Sequence, residues 1–90
     1  MTAVNKQHAR EMMGEAETML DKLTAILGRL SAISEEETDR LREVPYYRRF
    51  TVAYEADEED MIRLDELIGA VEEAVNDMTN VNERFDQIFA

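Results

Sequence analysis

The chain has 90 residues, with ten Lys and Arg against 21 Asp and Glu, a net charge of −11, and no cysteine. One domain of this size buries only about 60–65% of its unfolded surface, and the missing thiols exclude a disulfide framework and the thiolate zinc sites. The acidic excess argues against direct binding to nucleic acid or anionic lipid and favours a protein partner with a basic surface.

The first predicted element is a helix over 4–33. Met12, Ala16, Met19, Leu23, Ile26, Leu30 and Ile33 recur at alternating steps of three and four, which keeps them on one face of a helix turning every 3.6 residues. Met13, Leu20 and Leu27 widen this stripe to about three positions in seven, the width of a bundle helix. His8 lies near its start with Glu11 three residues on. A metal site needs three or four ligands, so this pair reads as a solvated histidine, and no metal or other cofactor is expected.

Ser34 followed by Glu35, Glu36 and Glu37 matches a capping box, because a serine oxygen and acids in a first turn suit the free amides and the helix dipole. The pattern predicts a short second helix over 35–44. It ends at Pro45, which lacks an amide hydrogen and restricts the residue before it.

A connector is expected over 45–56. It holds Tyr46, Tyr47, Arg48, Arg49, Phe50 and Tyr54, half the aromatic residues of the chain lying within 46–50 beside the one basic cluster. Read as a strand, Phe50, Val52 and Tyr54 share a face; read as a helix, Tyr46, Phe50 and Ala53 do. Helix is favoured, since a lone strand lacks a ladder partner. Tyrosine and arginine are enriched in binding hot spots, so this cluster is the expected partner-binding site. The plainer reading has the aromatics closing the end of a bundle while the arginines pair with the nearby acids.

A long final helix is predicted over 57–89, capped by Asp57 with Glu58, Glu59 and Asp60 in its first turn. Its stripe is Met61, Leu64, Ile68, Val71, Val75, Met78, Asn82, Phe85 and Phe89, widened by Leu67, Ala74, Val81 and Ile88. Asn82 interrupts the apolar run, and a polar group at such a position often sets register or oligomer state. Asp65, Glu66, Glu72, Glu73 and Asp86 form an acidic ridge on the outer side. A row of carboxylates can imitate a phosphate backbone, although most bundle helices carry a charged outer face.

The charge is unevenly placed: residues 1–34 are balanced, 35–60 hold four bases against ten acids, and 61–90 hold two against seven. The acidity also suits solubility or a high-salt setting, with arginine outnumbering lysine eight to two. No uncharged apolar run approaches the roughly 20 residues of a membrane helix, and residues 1–10 lack an apolar leader core, so a cytoplasmic address is expected. No phosphate loop and no nucleophile beside a base is present. The methionines suit either a core or an adaptable binding groove.

The expected fold is therefore all-α: a long antiparallel hairpin with a short middle helix. Stripes this long exceed the apolar patch a soluble monomer exposes. A homodimer or larger even oligomer is expected, with Met12, Met19, Leu23, Ile26, Leu30, Ile68, Val71, Val75, Met78, Asn82 and Phe85 in the seam of a four-helix core. The expected function is non-enzymatic: a helical adaptor, assembly factor or inhibitor that occupies a protein surface. The alternatives are an acidic mimic that blocks a nucleic-acid-binding machine, such as a phage anti-defence protein, and a nucleotide-binding sponge using the Tyr-Arg cluster.

Overall fold

The computed structural model describes the backbone of residues 3–89 and the side chains of residues 5–89. Helix α1 spans Ala3–Arg42 and helix α2 spans Val52–Phe89; a single turn of 3-10 helix, Tyr46–Arg48, lies between them. Among the described residues there is no strand. The helices run antiparallel, Arg10 reaching the carbonyl of Phe89, Ser34 reaching Asp65 and Arg40 reaching Asp57. The result is a rod of 69 × 16 × 15 Å. Its radius of gyration is 20.1 Å, against about 12 Å for a globular domain of this length.

The intramolecular seam is continuous. Along the seam α1 places Ala9, Met13, Ala16, Leu20, Leu23, Leu27, Leu30, Ser34, Glu37 and Leu41, all buried or half-buried. Along the same seam α2 places Tyr54, Asp57, Met61, Leu64, Ile68, Val71, Val75, Met78, Asn82, Phe85 and Phe89, all half-buried. Both sets step by threes and fours, the signature of a and d positions in a heptad. Met13 and Tyr54 are a positions; Ala16 and Asp57 are d positions.

The α2 stripe read from sequence is this seam. The α1 stripe read from sequence is displaced by one row. Ala16, Leu23 and Leu30 face α2, whereas Met12, Met19, Ile26 and Ile33 occupy the g row and stay 44–55% exposed. The residues read as widening, Met13, Leu20 and Leu27, are those that pack against α2. Either set satisfies the same periodicity, so only the position of the second helix decides which one is covered.

Three boundaries differ from expectation. No short middle helix exists over 35–44; α1 runs unbroken through Ser34 to Arg42. Ser34 caps nothing and donates its hydroxyl to Asp65 Oδ1 at 3.2 Å. The seam continues through Ser34, Glu37 and Leu41, and packing of that stripe outweighs a local capping signal. The second long helix begins at Val52, not Asp57. Thr51 is its cap: the Thr51 Oγ1 accepts the Tyr54 amide at 3.2 Å and the Thr51 carbonyl accepts the Glu55 amide at 3.1 Å. Asp57 is on the seam instead, where its carboxylate takes the Arg40 guanidinium at 3.3 Å. The connector accordingly shrinks to residues 43–51, and the strand reading of 50–54 is excluded.

Little of the rod is dry. Among the described residues only Ala9, Ala16 and Leu41 are buried, and no large side chain is fully enclosed. A two-helix layer has no interior, because each helix covers only one side of the other.

Candidate partner-binding tip and open apolar edge

The connector builds a defined tip. Helix α1 ends at Arg42, ahead of Pro45, whose ring forbids a continuing helix. The Asp39 and Leu41 carbonyls accept the Glu43 and Val44 amides, and Arg49 takes two more: it donates from Nε to the Val44 carbonyl at 3.1 Å and from a terminal nitrogen to the Arg42 carbonyl at 3.2 Å. A cation at this end also suits the helix dipole. The Pro45 carbonyl accepts the Arg48 amide, the Tyr46 carbonyl accepts the Arg49 amide, and the Thr51 hydroxyl donates to the Arg48 carbonyl. These bonds hold the turn in one shape.

On that turn Tyr46 and Phe50 meet edge to face at 5.3 Å, and Arg48 lies 5.7 Å from the centre of the Tyr47 ring. Tyr46, Tyr47 and Phe50 remain 69–73% exposed. They do not close the end of the hairpin. Tyr54 does not share their surface: it is half-buried at the top of the α2 seam. Desolvation, then a hydrogen bond to Glu58 and its negative charge, raises the Tyr54 phenol above its ordinary value. Two shallow clefts flank Tyr54. One, of about 370 Å³, is lined by Arg40, Pro45, Arg48 and Asp57 among others. The second, of about 390 Å³, is lined by Leu41, Arg49, Glu58 and Met61 among others.

The six residues expected as one contact site therefore divide. Tyr46, Tyr47, Arg48 and Phe50 form an exposed aromatic surface with one cation; Arg49 clamps the turn beneath it, and Tyr54 belongs to the seam. The pairing expected between the connector arginines and nearby acids is made by Arg40 instead, to Glu37 at 2.6 Å and to Asp57. The hydrogen bonds to Glu37 and Asp57 raise the Arg40 guanidinium further above its already high value. Arg49 as a carbonyl clamp and Thr51 as a cap were not expected. Pro45, three residues past the end of α1, was their only signal in the sequence.

The two long sides of the hairpin differ. On one side lie the e rows, which carry Arg10, Glu17, Thr24, Ser31 and Thr38 on α1 and Glu58, Asp65, Glu72, Thr79 and Asp86 on α2. Glu66 and Glu73 stand next to them, so the expected acidic ridge occupies this side, all five of its residues exposed. On the other side lie the g rows. An antiparallel pair sets g against g, and the register brings Met12 level with Ile88, Met19 with Val81, Ile26 with Ala74 and Ile33 with Leu67. Apart from Ala74 these are large apolar side chains 41–66% exposed. Of the residues expected at an oligomer seam, Leu23, Leu30, Ile68, Val71, Val75, Met78, Asn82 and Phe85 are half-buried between the helices of one chain, and Met12, Met19 and Ile26 line this open edge.

Among the described residues Asn82 is the one with a buried side-chain polar atom left unanswered: its Oδ1 has no hydrogen-bond partner. The three glycines face open space, nothing lying within 4 Å of an added Cβ at Gly14, Gly28 or Gly69, so no close approach within the chain calls for them. His8 and Glu11 are an exposed pair at 3.7 Å. Among the described residues no group of three metal-ligating side chains gathers and no helix is long and apolar enough to cross a membrane. Comparison with family models, with curated proteins and with solved structures finds no match to this chain.

Proposed function

We propose that this chain is a non-enzymatic, all-α interaction module that pairs with itself to complete a four-helix core and holds another protein through its connector tip. The observation that carries the reading is the tip itself: three aromatic rings, more than two-thirds exposed, on a turn clamped by Arg49 and capped through Thr51. Rigid aromatic side chains offer a large contact area at low entropic cost, and three such rings stand exposed on one turn. The surrounding acidity favours a partner whose surface is basic beside an apolar pocket.

The test is affinity capture followed by direct binding. Tyr47→Ala and Phe50→Ala are each expected to lower affinity for the captured partner by more than tenfold, at low and at high salt alike, with helicity unchanged. Retained affinity in both variants would refute the tip as the contact.

A second reading rests on a separate observation, the gathering of Glu58, Asp65, Glu72 and Asp86 with Glu66 and Glu73 on one side of α2. Such a side suits an acidic inhibitor of a nucleic-acid-binding machine, which it would reach by electrostatic steering. Its binding would fall steeply between low and high salt and with Glu72→Lys and Glu73→Lys, and would ignore Phe50→Ala.

A further inference from the structure

The open g-row edge holds seven large apolar side chains 41–66% exposed. Two such edges closed on each other offer on the order of 1,000 Å² of contact, the lower end of specific interfaces. A contiguous patch of this kind is often an interaction surface. Just outside it on each helix lies the c row, which relates to this edge as the e row relates to the intramolecular seam. On α1 the c row reads His8, Glu15, Lys22, Arg29, Glu36; on α2 it reads Ala56, Arg63, Ala70, Asp77, Arg84. These rows are close to neutral, in contrast with the acidic side opposite. Among the described residues Glu15, Lys22, Glu36, Asp77 and Arg84 make no ion pair within the chain, and Arg63 makes one exposed contact at 3.7 Å to Asp60.

We infer that this edge docks a second copy of the chain in one orientation, with the two-fold axis parallel to the rod and both connectors at the same end. The inference rests on the self-pairing proposed above and specifies its face and geometry. Rotation about the long axis leaves every height unchanged, so α1 of one copy lies on α2 of the other in the register that the two helices already hold within one chain. That register sets Glu15 level with the partner's Arg84, Lys22 with the partner's Asp77 and Glu36 with the partner's Arg63. Arg29 meets the partner's Ala70. Three opposite-charge pairs, each formed twice, flank the apolar contact, and no like charges meet.

The other two-fold, across the rod, lays α1 on α1 and α2 on α2. Full overlap of the edges then sets Lys22 on the partner's Lys22 and Asp77 on the partner's Asp77. Charge therefore selects between two packings that bury the same apolar surface. In the selected one the two aromatic tips stand side by side, which makes the assembly a bivalent grip whose avidity exceeds that of one tip.

A single cysteine placed at Glu55→Cys gives a label site free of competing thiols, since the chain has none. Electron-spin distance measurement on the labelled protein is expected to give a spacing within about 40 Å, because neighbouring helix axes in a bundle lie roughly 8–10 Å apart. Spacings near the 69 Å rod length would overturn the orientation and leave self-association standing. Lys22→Glu and Asp77→Lys are each expected to weaken the dimer about tenfold in sedimentation equilibrium, and the double variant to recover to within about threefold of the parent. Failure of the double variant to recover overturns the pairing. A parent chain that stays monomeric at all accessible concentrations overturns the dimer altogether, with the tip still open to test by Tyr47→Ala and Phe50→Ala.

Discussion

The two long sides of the hairpin flank the same seam, yet one is finished and the other is not. On the e side a polar row closes the groove, with Ser34 donating to Asp65 and Arg10 reaching the Phe89 carbonyl. On the g side, Met12, Met19, Ile26 and Ile33 face solvent beside Leu67, Val81 and Ile88. A stripe two positions in seven wide satisfies a two-helix hairpin; a stripe three wide needs a further layer. The third row is superfluous to the folding of one chain, which makes it the part of the stripe that speaks about assembly.

Neighbouring residues on α1 break the comparison most directly. Leu27→Ala removes a side chain held against α2 and is expected to cost about 2 kcal/mol at every protein concentration. Ile26→Ala, one residue away on the open edge, is expected to cost under about 0.5 kcal/mol in dilute protein, as surface substitutions do. At high concentration its effect grows, because the partner copy then stabilises only the parent chain. Urea denaturation at two concentrations tenfold or more apart reads both effects. Equal, concentration-independent losses would place Ile26 inside the seam.

Asn82 sharpens the comparison from within the seam. Its buried, unpaired Oδ1 makes the seam less stable than an apolar residue would. Asn82→Leu is expected to raise stability by about 1 kcal/mol and the melting temperature by roughly 4–8 °C. The gain in stability should come with a loss in uniqueness, since a polar a position penalises wrong registers. Sedimentation velocity is expected to show more than one assembled species.

Periodicity made the all-α hairpin legible, and on α2 it named the seam residues from Met61 to Phe89. On α1 it named a stripe and could not say which of its rows faces the chain's own partner helix. Rows d and g alternate by threes and fours as regularly as a and d, and sequence carries no reference direction until a second helix is placed. Capping motifs misled twice. Ser34 with Glu37 and Asp57 with its acidic run both resemble helix starts, yet both positions lie on the seam, where their neighbours' burial holds them in mid-helix. The break that sequence located well was Pro45, because a missing amide hydrogen acts on the backbone whatever the packing. The tip was legible as a cluster of types and not as roles: nothing in Tyr-Tyr-Arg-Arg-Phe distinguishes Arg48, over a ring, from Arg49, spent on two carbonyls.

The true and apparent caps offer a smaller test. Thr51→Ala removes the oxygen that accepts the Tyr54 amide and is expected to cost about 1 kcal/mol. Ser34→Ala forgoes one exposed hydrogen bond to Asp65 while gaining helix propensity, so the net change is expected within about 0.5 kcal/mol. Thermal melts of the two variants rank them; a larger loss at Ser34 would restore it as a helix start.

The smallest effect belongs to Tyr54, where seam and tip meet. Desolvation, followed by the hydrogen bond to Glu58 and its charge, raises this phenol above its ordinary 10.0 in the folded chain. An acid with a raised folded value holds its proton more firmly folded than unfolded. The stability it contributes is therefore complete below pH 10 and is lost as pH climbs through the folded value. Melting temperature is expected to fall between pH 9 and pH 11 in the parent chain, and the fall is expected to shrink in Tyr54→Phe, which cannot ionise. A fall of unchanged size in Tyr54→Phe would place the Tyr54 phenol on the outer surface, away from the Glu58 carboxylate.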